Sequence, residues 1–362
     1  MRIALDATYA IGEELSGVGL YSREMLDGLA GLRPEVRFEY WLRPHRFFRA
    51  AGLAARPNTR RRLLAGPLAP RGAALYHGLN QRLPAMRLRA TAVTFHDLFV
   101  MTGDYSTPEF RARFSAQARD AARRADAIIA VSDFTRRQVV GLLDVPEARV
   151  RVVHHGARGL QFPNVAREPV ILHVGALQTR KNIIRLVEAF ETLDERWRLV
   201  LAGAAGFGAA RILERISRSP ARARIELPGY VTPAELAGWY ARATVFAFPS
   251  LDEGFGMPLL EAMAAGTAVV TSNRSALPEV AGDAALLVDP EDTAQLAAVL
   301  RQLTGDAELR EELARRGKAR VQTFTWDKAV RATWDVYREL LGSGADGPAC
   351  HPPAHPTASR PR

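Results

Sequence analysis

The chain has 362 residues, 48% hydrophobic and 24% charged, and its 49 basic and 39 acidic residues give a formal charge of +10. This composition predicts a globular protein, and the length favours two domains because single cores rarely exceed about 250–300 residues. The single cysteine excludes an intramolecular disulfide, and the absence of an 18-residue apolar run or a signal peptide pattern indicates a cytoplasmic protein.

In the first half, short apolar runs alternate with amphipathic segments. Strands are predicted at 2–7, 91–95, 127–131 and 150–153, and helices at 18–29, at 111–125 and after Ser132, a good N-cap residue. After a polar, proline-containing break at 162–169 the alternation resumes. It predicts strands at 170–174, 199–202, 225–227, 244–249 and 268–271 and helices at 182–193, 209–216, 233–243 and 258–265.

Short strands separated by helices are typical of parallel sheets in α/β proteins. Two such series predict two doubly wound, Rossmann-like domains, at 1–165 and 166–341, with the last helix packing back on the first domain. Residues 342–362 contain five prolines and no large apolar residue, which predicts a disordered tail. Because ligands of such sheets bind at the carboxyl ends of the strands, we expect both domains to face one central cleft.

The positive charge is confined to the first half. Residues 1–168 contain 26 basic and 16 acidic residues, whereas 169–362 contain 23 of each. The densest segment is 33–71, with ten arginines against Glu35 and Glu39. Within it lies the Arg43–Arg62 strip, in which aromatic and aliphatic residues are interleaved with arginines. A nucleic-acid face, an anionic membrane surface and an ordinary solvated face all fit this pattern. The strong preference for arginine over lysine favours the solvated face. The interleaved apolar residues, in contrast, favour the membrane surface.

The most informative motif runs from 247 to 266. A buried strand ends at Pro249, a glycine-rich turn carries Glu253, and a helix with Pro258 at its start carries Glu261. Glycines allow a ligand to approach the backbone, and free amides at a helix start favour an anion. Two carboxylates on either side of an anion site suit a ligand with hydroxyl groups around a phosphate, as in a nucleotide sugar. Alternatively, Glu253 is a capping residue and Glu261 a solvated one.

A second motif, at 173–182, places Arg180 and Lys181 between a strand end and a helix. The guanidinium fork and the mobile ammonium group together could neutralise a diphosphate. Lys181 is one of only three lysines in the chain. The alternative is a solvated basic pair.

Two weaker signals lie in the first half. Gly17 and Gly19 form a G-x-G turn after the first strand, and His96 ends the strand at 91–95, where functional residues of α/β domains occur. A tight turn and a structural histidine are the alternatives. His154-His155-Gly156 fits either a cleft lining or a hinge between the domains.

The spacing of Glu253 and Glu261 resembles the E-x7-E signature of the family 4 retaining glycosyltransferases, which have the GT-B fold. The resemblance extends to 227–231, to Leu236 and Tyr240-Ala241, and to 277–285 and 288–290, and so covers about the whole second half. Within the family, the chain is most similar to bacterial mannosyl- and rhamnosyltransferases of surface-polysaccharide assembly. Ala176 departs from the pattern, because many relatives have an arginine directly after Gly175; Arg180 and Lys181 must then carry the phosphate charge.

The resemblance also implies roles for individual residues. Glu253 would contact hydroxyls of the transferred sugar, Glu261 would hold the ribose, and His96 would orient the sugar without acting as a base. Arg180 and Lys181 would bind the leaving diphosphate, one oxygen of which takes the proton of the acceptor. Main-chain groups near the donor would come from Gly17, Gly19, Val231, Gly254, Phe255, Gly256 and Met257.

These inferences predict a hexosyltransferase that transfers mannose or rhamnose to a glycan or lipid-linked acceptor in lipopolysaccharide or exopolysaccharide synthesis. The donor would be a GDP-sugar, or a UDP- or dTDP-sugar. No D-x-D motif is present, so we expect no metal or other cofactor. Two alternatives stay open: a nucleotide-sugar epimerase of the same fold, and, less favoured, a basic nucleic-acid-binding protein, although no nucleic-acid partner is expected because no reading motif accompanies the charge.

Overall fold

The structure is a computed structural model that describes residues 1–12, 15–50, 53, 56–65 and 70–342. The predicted tail therefore lies outside the described residues, apart from Gly342. The first sheet has seven parallel strands in the order β3-β2-β1-β4-β5-β6-β7. Its strands are β1 (Arg2–Asp6), β2 (Arg37–Leu42), β3 (Thr59–Leu63), β4 (Leu75–Gly78), β5 (Thr91–Phe95), β6 (Ala127–Ala130) and β7 (Val150–Val152).

Helices connect these strands and cover the sheet. They are α1 (Gly17–Leu32), α2 (Pro44–Phe47), α3 (Phe99–Thr102), α4 (Pro108–Arg124) and α5 (Asp133–Leu143). The hydroxyls of Ser16, Thr107 and Ser132 accept backbone N–H groups of α1, α4 and α5 respectively, so local N-caps fix where these three helices begin. The order of the strands reverses between β1 and β4, and a ligand cleft is expected at such a point.

The second sheet has six parallel strands in the order β10-β9-β8-β11-β12-β13. They are β8 (Glu168–Val174), β9 (Arg198–Ala202), β10 (Ile225–Gly229), β11 (Ala243–Phe248), β12 (Ala268–Ser272) and β13 (Ala285–Val288). The helices of this half are α6 (Ile183–Phe190), α7 (Ala209–Ser217), α8 (Pro233–Arg242), α9 (Met257–Ala264), α10 (Leu277–Ala281), α11 (Thr293–Gly305), α12 (Ala307–Val321) and α13 (Trp326–Leu341). The predicted fold class, two doubly wound parallel sheets, is confirmed.

The last helix, α13, packs on α1 of the first domain rather than on the second sheet. Val330, Trp334 and Tyr337 are buried in the same apolar cluster as Met25 and Leu29. The core of the first domain is therefore completed by residues from the far end of the chain.

A buried polar chain also holds α13 in place. The Tyr337 hydroxyl lies 2.6 Å from His77 Nδ1, and His77 Nε2 lies 2.9 Å from the Thr94 hydroxyl, which in turn contacts the Tyr21 hydroxyl at 2.9 Å. Each of these buried groups has a partner, as buried polar groups require.

Candidate active site between the two domains

The turn that carries the basic pair follows β8 at the carboxyl edge of the second sheet. One 3₁₀ turn spans Thr179–Lys181, and Asn182 adopts a left-handed conformation (φ 58°) before α6 begins. The buried Asn182 amide donates to the carbonyls of Pro249 (3.1 Å) and Pro290 (2.6 Å). These bonds fix the turn against the strand end that precedes the motif carrying Glu253.

Arg180 and Lys181 both bind Glu253. Lys181 Nζ lies 2.5 Å from Glu253 Oε1, and an Arg180 guanidinium nitrogen lies 2.8 Å from Oε2. Burial by itself raises the pKa of Glu253, but the two cations outweigh it and lower the pKa to about 2. The site therefore holds a fully ionised carboxylate between two cations. Such an arrangement can exchange partners with an incoming anion.

The donor turn, defined here as residues 253–257, continues directly into α9. Gly256 has φ 106°, a conformation that other residues rarely adopt, and it caps the helix. Phe255 is buried and its ring meets those of His155 and Phe324 edge-on. Gly254 lies so close to the first domain that a Cβ atom there would stand 1.8 Å from the His96 carbonyl oxygen. The first domain thus contacts the donor turn directly.

Glu261 is buried on α9 and has two partners. The Tyr240 hydroxyl donates to Oε2 at 2.8 Å, and Arg158 Nε lies 3.4 Å from Oε1. Burial raises the pKa of Glu261, and Arg158 and Tyr240 oppose the increase. Carboxylate oxygens are good acceptors for paired hydroxyls, so Glu261 is chemically suited to the ribose role that the resemblance implies.

His96 lies at the end of β5 on the opposite wall. Its Nε2 donates to the Leu79 carbonyl (2.9 Å), its ring stacks on His155 (centroids 5.4 Å apart), and Tyr21 meets it edge-on. Burial lowers the pKa of His96 to about 4, so the imidazole is neutral at physiological pH. A neutral, oriented ring can hydrogen-bond a hydroxyl but supplies no positive charge.

The structure brings Gly17 to the donor turn, since a Cβ at Gly17 would lie 2.7 Å from Met257 Cε. Gly19 is packed instead against the Tyr9 carbonyl, where a Cβ would stand at 2.9 Å. Val231 follows β10 and packs, half-buried, on the apolar cluster that contains Phe248 and Leu260. The predicted position of the Val231 main chain near the donor stays a prediction.

Several groups at the site were missed by sequence reasoning. Burial raises the pKa of Asp97 to about 6, and the carboxyl shares its environment with Arg180, Glu253, Asp252 and Lys181. Its position directly after His96 at a strand end was the available signal.

Within the part of the chain that the structure describes, no group of three or more His, Cys, Asp or Glu residues could hold a metal ion.

Sequence reasoning also missed the contacts that connect the two domains. The Thr102 hydroxyl donates to Asp252 (2.9 Å), the Arg180 guanidinium lies over the Phe99 ring (4.3 Å), and His154 Nε2 lies 2.6 Å from Glu279. Contacts of this kind depend on how two distant segments meet, which no local pattern in the sequence reveals.

Two facing Rossmann-like domains with a carboxylate and a basic pair in the cleft define a glycosyltransferase of the GT-B class. Residues 32–158 match Glycosyltransferase Family 4, and residues 161–320 match Glycosyl transferases group 1. An O-antigen chain mannosyltransferase B from Escherichia coli is 33% identical over 284 residues, which cover 74% of each chain. The chain therefore belongs to the family 4 glycosyltransferases.

Other comparisons agree. The serotype-specific mannosyltransferase WbdA from Escherichia coli is 30% identical over 71% of this chain, although the match spans only 34% of that protein. Among solved structures, sucrose-phosphate synthase from Thermosynechococcus elongatus superposes with a TM-score of 0.76 (24% identity, 94% of this chain and 99% of that one). WaaG, a glycosyltransferase involved in lipopolysaccharide biosynthesis, superposes with a TM-score of 0.70 (16% identity, 93% of this chain and 99% of that one). These two structures show the GT-B fold.

The comparisons confirm the predicted glycosyltransferase activity and give no support to the epimerase alternative. Within the described residues, no helix is long and apolar enough to span a bilayer.

Proposed function

We propose that this glycosyltransferase transfers mannose from a GDP-sugar to a hydroxyl of a growing surface polysaccharide, with retention of configuration. The names of the relatives reported above, two of them mannosyltransferases, support mannose over rhamnose. The observation that carries the proposal is the buried Arg180–Lys181 pair on Glu253, at the carboxyl edge of the second sheet. A UDP-sugar or a dTDP-sugar is the alternative donor.

The residues divide the work between leaving group and sugar. When the donor binds, its diphosphate replaces Glu253 as the partner of Arg180 and Lys181. The Glu253 carboxylate then accepts hydrogen bonds from hydroxyls of the sugar. The charge that develops on the leaving oxygen is then met by two preorganised cations in a site shielded from water. Neutral His96, held by Leu79, faces the sugar from the opposite wall. No protein base is required, because the departing phosphate oxygen accepts the acceptor's proton.

The test is a panel of donors. A bound donor raises apparent stability by mass action, so the melting temperature is measured with GDP-mannose, GDP-rhamnose, dTDP-rhamnose and UDP-glucose. GDP-mannose is expected to give the largest shift, and transfer to a saccharide acceptor should yield an α-linked product by NMR. A larger shift with dTDP-rhamnose or UDP-glucose would overturn the choice of GDP. A β-linked product formed from GDP-mannose, whose mannose is α-linked, would overturn retention.

We further propose that the enzyme works in the cytoplasm, on an anionic membrane surface that the Arg43–Arg62 strip contacts. Phe48 is 89% exposed beside α2, and the edge strand β3 presents Arg60 to solvent. Phe47, in contrast, packs partly on the core. Within the described part of the strip, Arg43, Arg49 and Arg60 have no acidic partner, so their charges are available to anionic lipid at about 1 kcal/mol each.

Co-sedimentation with vesicles tests this contact. Wild type is expected to bind vesicles containing phosphatidylglycerol at low salt and to dissociate at high salt, because screening shortens the reach of exposed charges. A triple Arg43/Arg49/Arg60→Gln variant should bind less. The matched control removes three exposed arginines of the second domain that likewise have no acidic partner among the described residues, Arg211, Arg222 and Arg301. Equal binding by both variants would mean that the strip is an ordinary solvated face.

A further inference from the structure

The N-terminal end of α5 contacts the second domain at two places. We propose that Ser132, Thr135 and Glu279 form a closure clamp, which positions the donor turn for transfer by joining the domains. These residues hold the turn in place rather than touching substrate. The inference concerns the glycosyl transfer reaction, and it depends on the proposed function only where the test uses a GDP-sugar.

The first contact is made to the donor turn itself. The Ser132 and Thr135 hydroxyls both donate to the carbonyl oxygen of Gly254, at 2.7 and 3.1 Å. All three residues are buried, and one carbonyl oxygen can accept two hydrogen bonds. Ser132 Oγ also accepts the Thr135 N–H (3.0 Å), so the same side chain caps α5 and binds the other domain. If the domains separated, the Gly254 carbonyl would lose both partners.

The second contact is made by Glu279 of α10. Its carboxylate accepts the backbone N–H of Asp133 (2.8 Å to one oxygen and 3.0 Å to the other) and that of Phe134 (3.3 Å). The first amides of a helix have no partner within the helix, and an anion is favoured there. The second domain therefore supplies the anion that satisfies the start of a helix in the first. His154 holds the same carboxylate in place at 2.6 Å.

Backbone contacts connect these two places. The Glu253 N–H donates to the Ser275 hydroxyl (3.1 Å), and the Glu253 carbonyl accepts the Ala276 N–H (3.2 Å). Ser275 and Ala276 immediately precede α10, which carries Glu279. The segment with Glu279 and the donor turn with Gly254 are thus held together as one unit, and α5 binds both parts of it. Closing the cleft and setting the position of Glu253 become the same event.

The experiment compares four variants of the full chain. Ser132→Ala removes the hydroxyl that binds Gly254, whereas Ser132→Thr keeps it. Glu279→Gln removes the negative charge at the start of α5 and leaves one acceptor oxygen for the amides of Asp133 and Phe134. Thr107→Ala is the matched control, because Thr107 caps α4 of the same domain through its hydroxyl (3.3 Å to the Phe110 N–H) and is exposed. We measure turnover of GDP-mannose, affinity for GDP by calorimetry, melting temperature, and the radius of gyration of the ligand-free protein by X-ray scattering.

We expect Glu279→Gln and Ser132→Ala to lower kcat about tenfold, as misplaced reacting groups do. GDP affinity should change less, because Arg180 and Lys181 lie within the second domain, and the radius of gyration should increase. Ser132→Thr should keep most of the turnover. Thr107→Ala should lower only the melting temperature.

Two results would overturn the clamp. One is a loss of melting temperature in Ser132→Ala that matches Thr107→Ala, with kcat unchanged; the other is an unchanged radius of gyration in both clamp variants. If GDP does not bind the wild type, the proposed donor is wrong, and the scattering measurement alone decides on the clamp.

Discussion

Lys181 Nζ lies 2.5 Å from Glu253 Oε1, so the ammonium group that we propose binds the donor diphosphate is already paired with a carboxylate of the protein. Arg180 is engaged by the same carboxylate. Binding a donor must therefore break an ion pair before it makes one. Since leaving either partner of a buried pair alone is costly, this exchange favours a ligand that offers both an anion for the cations and hydroxyls for Glu253.

The first prediction follows from this competition. Glu253→Gln should bind free GDP more tightly than wild type, because the cations are released for the diphosphate, and should lower kcat by on the order of 10²–10³ through loss of the sugar contact. Lys181→Ala should weaken GDP binding. Calorimetry and steady-state kinetics measure both. Glu191→Gln is the control, since Glu191 pairs with Arg215 elsewhere in the second domain. Weaker GDP binding by Glu253→Gln would contradict the exchange.

The second prediction concerns alkaline pH. Burial and the neighbouring Arg180 guanidinium lower the pKa of Lys181 to about 8. As the pH rises through 8 the ammonium group loses its proton, so kcat/KM should fall about tenfold per pH unit above that value. Lys181→Arg keeps a charge at every accessible pH and should remove this decline. A decline that persists unchanged in Lys181→Arg would assign it to another group.

The third prediction uses the close approach of the domains. Gly254→Ala would place a Cβ 1.8 Å from the His96 carbonyl oxygen, so the cleft could not close as it does here. We expect activity to be nearly lost while circular dichroism is retained. Gly141→Ala is the control, because that glycine lies in α5 with nothing within 4 Å of an added Cβ. Wild-type turnover in Gly254→Ala would show that this contact is not needed.

The fourth prediction concerns acid stability. Burial lowers the pKa of His77 to about 3 and those of His96 and His173 to about 4, whereas an unfolded histidine titrates near 6.5. Between these values the unfolded chain binds more protons, so the free energy of unfolding falls as the pH falls. Each histidine contributes about 1.4 kcal/mol per pH unit. Burial raises the pKa of Asp97 to about 6, so the folded protein binds one proton there below that pH. This proton offsets the stability lost through one histidine.

Urea unfolding at pH 7, 6 and 5 measures this loss. The free energy of unfolding should drop steadily below pH 6.5, and His77→Gln should reduce the slope by one histidine's share. A free energy that stays constant from pH 7 to 5 would mean that these rings are hydrated in solution.

The fifth prediction is metal independence. In the function proposed above, Arg180 and Lys181 supply the positive charge that Mg²⁺ supplies to many diphosphate sites, so activity should survive excess EDTA. Recovery of lost activity by Mg²⁺ or Mn²⁺ after EDTA treatment would contradict this view of the phosphate site.

The alternation of apolar runs was sufficient to predict most of the parallel strands. The strand predicted at 91–95 agrees with β5 at both ends. The helix predicted at 111–125 starts three residues after the true start of α4, where Thr107 is the N-cap and Pro108 the first helical residue. Strand β3 was missed because its sequence, Thr59–Leu63, is mostly arginine. It forms because an edge strand can leave charged side chains in solvent.

The site divides in the same way. Glu253, Arg180 and Lys181 were found because their motifs are continuous in the sequence. Two of their neighbours were not: Asp97 lies beside the ion pair and Arg158 pairs with Glu261, and both come from segments that are distant in the sequence. Local spacing carries no information about how two domains meet.

The packing of α13 on the first domain means that the chain crosses between the domains twice. The crossings lie side by side, since the Ala157 N–H donates to the Phe324 carbonyl at 3.0 Å, and Gly156 is pressed against Trp326. Two adjacent crossings form a two-stranded hinge. We expect them to restrict relative motion of the domains to rotation about the line of the two crossings, so that the same residues meet each time the cleft closes.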